Sequence, residues 1–229
     1  MNQVLEMNNL IKVKDEEQKK AINSWAKNKF TGTIIAGTGF GKSRCGVIAV
    51  GKSLRDNLHS KALVLVPTTQ LQEQFKQEFI KWDYEDVLDS VDIMCYQSAY
   101  KLEGEHYNVV VCDEIHLGLS PEYRKFFENN TWDRLLCMTA TLPEDYEYKE
   151  LLYRMAPVVY TITLDSCVKL GLVSPYEIVC IPVTLTDLEE KEYKKANNTF
   201  VYAKYCLGQF GAFDRAKHIM GAGKHTASS

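Results

Sequence analysis

Thr31–Ala36 reads TGTIIA, Gly37–Gly41 reads GTGFG, and Lys42–Arg55 reads KSRCGVIAVGKSLR. An apolar run, a glycine-rich turn and a helix-forming run, in that order, predict the strand, loop and helix of a phosphate loop. Gly37, Gly39 and Gly41, with Thr38 and Phe40 between them, let the backbone curl so that successive N–H groups face one anion. A helix starting at Lys42 adds its partial positive charge. Lys42 would reach the β- and γ-phosphates of a nucleoside triphosphate, and the Ser43 hydroxyl would ligate Mg²⁺. Ala36 stands where the GxxxxGK[ST] pattern has its first glycine. The alternative is a glycine-rich turn with a chance Gly-Lys-Ser.

A second string, VVVCDEIH at Val109–His116, supplies the other half of such a site. Four apolar residues place Asp113 and Glu114 at the C-terminal end of a buried strand, beside the phosphate loop in a parallel sheet. Asp113 would hold Mg²⁺, and Glu114 would orient and deprotonate the attacking water. Two solvated loop acids are the plainer reading of the pair.

Between and around these strings, apolar runs alternate with helical stretches, the pattern of a parallel sheet covered on both faces. Strands are expected at Thr31–Ala36, Ala62–Val66, Val91–Cys95, Asn108–Cys112, Arg134–Met138 and Val158–Ile162. Helices are expected at Glu16–Lys27, Lys42–Arg55, Thr69–Lys81, Pro121–Phe127 and Asp145–Met155. The chemical motifs then lie at strand C-termini, along one edge of the sheet. After Leu164 the texture changes to a short helix, a Gly/Pro turn and a long strand. A charged helix over Thr186–Leu207 follows, opened by a Thr186–Glu189 capping box. The final residues read as a disordered tail.

The 229 residues carry a net charge of −3, 45% hydrophobic and 25% charged residues, so a globally basic nucleic-acid binder is disfavoured and a local groove is not. Apolar runs are strand-sized, with no membrane span and no secretory h-region, and a cytoplasmic location (host cytoplasm if phage-encoded) is expected. The seven cysteines lack ligand spacing. Cys95, Cys112, Cys137 and Cys180 fall in expected strands and read as buried hydrophobes in a reducing compartment.

AGTGFGKS, DEIH and MTATLP together resemble motifs I, II and III of superfamily 2 helicases and translocases, with DEIH a variant of the DEAD/DEAH box. Alanine at the first motif position is usual in that family. The resemblance extends to PTTQLQEQF at Pro67–Phe75 and CYQSAYKL at Cys95–Leu102, and in texture is nearest to restriction-subunit-like and phage-type DNA helicases. It implies an α/β, P-loop NTPase fold, with a RecA-like, mostly parallel sheet and helices on both faces. It also implies ATP and Mg²⁺ as cofactors and nucleic acid as partner, DNA over RNA. Under it, Gln18 reads the adenine, although Asp15 and Glu17 stand where Arg and Tyr are common. Pro67, Thr68, Thr69, Gln70, Gln97 and Ser98 contact the nucleic-acid strand, His116 joins the catalytic set of Lys42, Asp113 and Glu114, and Thr139 and Thr141 couple hydrolysis to domain movement. Helix capping is an equal reading of Thr68–Gln70, a surface or capping role of His116, and backbone satisfaction of Thr139 and Thr141. Lys191, Lys194 and Lys195 read as a solvated face.

The resemblance divides the chain into an ATP-binding RecA-like domain, 1–164, and a linker or start of a second domain, 165–229. The Gln-x-x-Gly-Arg-x-x-Arg string of a second motor domain is not found, and Arg154 and Arg215 are the only arginines after Thr141. The expectation is a motor domain incomplete alone, working with a second RecA-like domain that could sit on a separate chain. The alternatives are a non-enzymatic nucleotide- or DNA-binding module, half of a split helicase, and a phosphate-loop kinase, against which Thr-Ala-Thr and the Asp-Glu adjacency count.

Overall fold

A computed structural model describes residues 2–57, 60–177, 179–181 and 184–208. The chain divides into two compact units, Met1–Tyr176 and Glu177–Ser229.

The first unit is built on six strands: β1 (Thr31–Ala36), β2 (Ala62–Val66), β3 (Val91–Cys95), β4 (His106–Cys112), β5 (Thr131–Thr139) and β6 (Val158–Ile162). They form one sheet in the order β3-β2-β4-β5-β1-β6, and every pairing is parallel. Parallel strands require crossovers, which helices supply here. These are α1 (Asn2–Lys27), α2 (Lys42–Arg55), α3 (Thr69–Lys81), α4 (Tyr96–Ala99), α5 (Ile115–Gly118), α6 (Lys125–Asn129), α7 (Tyr146–Met155) and α8 (Leu164–Lys169).

Two cores result, one on each face of the sheet. Val64, Val109, Val111, Leu136 and Met138 face one side, with Trp25 of α1, Val47 and Val50 of α2, Phe75 and Phe79 of α3, and Cys167 of α8. Leu63, Leu65, Val110, Cys112, Leu135 and Cys137 face the other, with Tyr96, Ile115, Phe126 and Leu152 of α4 to α7. All five residues of ALVLV in β2 are buried, so it reads as a continuous apolar run because both its faces are covered.

Several elements differ from expectation. α1 starts at Asn2 rather than Glu16, since nothing from Asn2 to Lys27 is Gly or Pro and no residue stops the helix. Its inner stripe is Gln18, Ala21, Ile22 and Trp25, spaced for one helix face, and Trp25 Nε1 donates to Leu135 O at 2.9 Å. The helix expected at Pro121–Phe127 runs instead over Lys125–Asn129, after turns. The long strand expected beyond Pro175 does not form among the described residues: Tyr176, Val179, Ile181 and Leu185 are exposed, and no described strand pairs with them. An apolar alternation becomes a strand only where a neighbour takes its N–H and C=O groups. Cys180, in that stretch, is exposed, whereas Cys95, Cys112 and Cys137 are buried in or at the ends of their strands.

In the second unit, α9 (Asp187–Gly208) opens with the expected capping box. Thr186 N–H donates to Glu189 Oε2 at 2.9 Å, and Glu189 N–H to Thr186 Oγ1 at 3.4 Å. The tail read as disordered lies outside the described residues. No helix among the described residues is long and apolar enough to cross a membrane.

Candidate functional site

The parallel register brings the strand ends to one edge. Ile35 pairs with Thr139, Cys112 with Cys137, Leu65 with Cys112, and Val66 with Cys95. The loops after β1, β2, β3, β4 and β5 therefore emerge side by side. Asp113 and Glu114 lie beside the loop after β1, as the sequence led one to expect, although β4 and β1 are not neighbours in the sheet. β5 stands between them, which brings Thr139 at its end to the Glu114 carboxylate.

The loop after β1 turns through two left-handed glycines, Gly39 (φ 90°) and Gly41 (φ 86°), where an L side chain is strained. Phe40, between them, points its side chain into the core, fully buried against Tyr160. Its backbone alone can serve a ligand, and its N–H goes to Gly37 O at 3.3 Å. Lys42 Nζ donates to Ala36 O at 3.0 Å and lies 3.4 Å from Glu114 Oε1, while Ser43 follows it at the mouth of α2. The cleft around the loop measures about 640 Å³ and is lined by Gly37, Thr38, Lys42, Ser43, Asp113 and Glu114, among others.

Asp113 directly follows β4 and is 7% exposed. Burial first, and the neighbouring Glu114 carboxylate second, push its pKa from 3.8 up to about 6; Lys42 opposes both. Glu114 adopts φ 48° and ψ 54°, the left-handed region, at a cost of about 1–2 kcal/mol for a residue with a Cβ. That turn aims its carboxylate back across the edge. Oε1 meets Lys42, and Oε2 lies 3.3 Å from Thr139 Oγ1 and 3.5 Å from His116 Nδ1. The Thr139 hydroxyl is a hub. His116 Nδ1 is 3.1 Å away, Thr141 N–H donates to it at 3.3 Å, and Thr141 O lies 2.8 Å from it as an acceptor. Lys42, Glu114, His116, Thr139 and Thr141 thus form one connected polar network.

Gln18 sits where the resemblance puts it, on α1 against the loop, but its amide is engaged. Nε2 donates to Phe40 O at 2.7 Å and Gly41 O at 3.3 Å, and Oε1 accepts from Arg44 at 2.8 Å. Asp15, which departs from the family texture, has a structural reason: it pairs with the Arg44 guanidinium. That guanidinium also lies 3.8 Å from the centre of the Trp82 ring, and Lys14 Nζ donates to Gly39 O at 2.8 Å. Lys14, Asp15, Arg44 and Trp82 line the cleft and were missed from sequence. Arg44 follows Ser43 directly, so its place beside the loop was readable. Trp82 comes from the far end of α3, and no local signal points to it.

Pro67, Thr68, Thr69 and Gln70 leave β2 beside Gln97 and Ser98 of α4, as the Val66–Cys95 pairing requires. Thr69, Gln70, Gln97 and Ser98 are exposed. Thr68 caps α3, accepting from Leu71 N–H at 3.3 Å, so the capping reading holds for that hydroxyl.

The donor set fits Mg²⁺: a buried carboxylate crowded by a second one, with a hydroxyl across the cleft, offers hard oxygens and a negative charge that a divalent cation relieves.

Residues 15–103 match the model of the DEAD/DEAH box helicase family. No match was found among curated proteins. Among solved structures, the helicase domain of Pyrococcus furiosus Hef is similar at 16% identity and a TM-score of 0.51, over 82% of this chain and 46% of that one. The UvsW helicase of bacteriophage T4 gives 15%, 0.49, 64% and 58%, and the SWI2/SNF2 ATPase core of Sulfolobus solfataricus, in complex with double-stranded DNA, gives 17%, 0.44, 65% and 35%. The Hef likeness speaks for a shared α/β fold. The chain spans about half the length of the UvsW and Hef chains.

Proposed function

We propose that this chain is the ATP-binding motor domain of a superfamily 2 DNA helicase or translocase, with 1–164 the RecA-like domain and 165–229 the lead into a second one. The observation that carries the reading is the network at the sheet edge, where Lys42 and Glu114 meet within 3.4 Å, beside a buried Asp113. The loop N–H groups and Lys42 bind the triphosphate. Ser43 and Asp113 would hold Mg²⁺, which when bound neutralises phosphate charge. Glu114 takes a proton from water as its oxygen bonds to the γ-phosphorus and the bond to the β,γ-bridging oxygen breaks. His116 and Thr139 hold Glu114 Oε2 in place for that transfer.

A second RecA-like domain, on this protein or another, would complete the charge stabilisation; arginine fingers are worth ~10³–10⁵ in rate in phosphate-loop enzymes. DNA is favoured over RNA by the motif texture, and a cytoplasmic setting suits the free thiols. The test is binding of a fluorescent Mg·ATP analogue and DNA-stimulated hydrolysis, with and without an added second RecA-like domain. Lys42→Ala should weaken nucleotide binding by about 10- to 100-fold, the worth of a hydrogen bond to a charged group. A chain that binds no nucleotide, or binds it equally well without Lys42, would end this reading. Binding of nucleotide and DNA that no partner domain converts into turnover would favour the non-enzymatic module instead.

A further inference from the structure

The segment placed against nucleic acid and the segment placed against ATP are joined through one buried side chain. Tyr96 opens α4 at the end of β3, immediately before the exposed Gln97 and Ser98. It is 2% exposed, and its hydroxyl donates to the backbone carbonyl of Asp113 at 2.9 Å. Burial pushes the phenol pKa well up, so the group stays a donor.

The acceptor is what makes this contact consequential. The Asp113 carbonyl and the Glu114 N–H belong to one planar peptide unit. A hydrogen bond to that carbonyl fixes the orientation of this peptide and so restrains φ of Glu114, the angle that takes Glu114 into its left-handed turn. The turn in turn delivers the carboxylate to Lys42 and Thr139.

The Tyr96 ring is held as well. A Cβ at Gly118, in the helix that follows Glu114, would stand 2.6 Å from Tyr96 Cε1, so the ring occupies the space that glycine leaves. Tyr123 stacks on it with centroids 6.2 Å apart and planes inclined by 18°. A shift of α4 when Gln97 and Ser98 engage a strand therefore moves a rigid lever whose tip is bonded to the Asp113–Glu114 peptide.

We propose that Tyr96 is a positioning residue that couples strand contact at Gln97–Ser98 to the geometry of Glu114 through its hydrogen bond to the Asp113 carbonyl. This rests on the motor reading above. The experiment measures the dissociation constant of a fluorescent Mg·ATP analogue on the full chain, without and with a saturating single-stranded oligonucleotide. The ratio of the two constants is the coupling factor, and linkage requires the same factor for oligonucleotide affinity measured with and without nucleotide. The wild type should show a factor of about fivefold or more, the lower end of common coupling energies. Tyr96→Phe, which keeps the ring and removes only the hydroxyl, should bring it to within about twofold of unity while circular dichroism stays that of the wild type. Gly118→Ala, which displaces the ring, should do the same. A merely structural tyrosine would lower the melting temperature and leave the factor intact. Tyr96→Phe with the wild-type factor, or a wild type that binds both ligands with a factor of one, overturns the coupling and leaves the motor reading standing. A wild type that binds neither ligand overturns both.

Discussion

Replacing Asp113 by asparagine should make the protein more stable and its nucleotide site poorer. Asp113 titrates near 3.8 in an unfolded chain and at about 6 in the fold, because burial and Glu114 disfavour its charge. A carboxyl whose folded pKa is raised favours the folded state most below its unfolded pKa, and that advantage is lost as pH rises through 3.8 to 6. Above pH 7 the fold therefore carries the full cost of an ionised, buried Asp113, about 3 kcal/mol at 1.36 kcal/mol per pH unit. At pH 5 the folded form is mostly protonated, and the cost drops to about half. Asparagine keeps the shape and has no charge to bury. Asp113→Asn should thus raise stability by about 1–3 kcal/mol at pH 8, a rise in Tm of a few degrees for a chain of this size. The gap to the wild type should shrink by about 1 kcal/mol between pH 8 and pH 5. Urea unfolding of both proteins at several pH values, without nucleotide, reads this directly. Adding Mg·ATP should stabilise the wild type by mass action and the variant far less, because its metal ligand has lost the charge. A variant less stable than wild type at pH 8, or a gap independent of pH, would show that Asp113 is not the strained acid described.

Glu114→Gln should lower partner- and DNA-stimulated hydrolysis by about 10²-fold or more, the usual worth of a general base; a rate within a few fold of wild type would remove Glu114 from that role. Trp25→Phe removes the buried indole hydrogen bond to the Leu135 carbonyl and should cost about 0.5–1.5 kcal/mol in urea unfolding. Gly51→Ala places a methyl 2.0 Å from the Tyr84 ring and should cost about 1–3 kcal/mol, most of it recovered when Tyr84 is also truncated.

The fold was legible because its strands are buried on both faces, so Ala62–Val66 and Val109–Cys112 stand out as apolar runs whatever their neighbours. Strand order was not, and so β5 was not foreseen between β1 and β4: side-chain periodicity records burial but not which strand lies alongside. The same blindness produced a strand beyond Pro175, where apolar residues find no described partner. At the site, Lys42, Ser43, Asp113 and Glu114 were readable because spacing along one segment sets their geometry. Arg44–Trp82 and Tyr96–Asp113 join segments 38 and 17 residues apart, and such pairs leave no mark in local pattern. Glu114 illustrates a third limit. Its left-handed backbone is held by tertiary contacts, and a propensity-based reading would have asked for glycine there.

The position of β5 also bears on how the chain is made. β1 pairs only with β5 and β6, about a hundred residues or more further along, whereas β2, β3 and β4 pair among themselves within about fifty. During synthesis the segment from Ala62 to Cys112 can close its hydrogen bonds early, while Thr31–Ala36, although translated first, must wait for Thr131–Thr139 to leave the ribosome. The phosphate loop is thus among the first parts synthesised and among the last to be fixed in place.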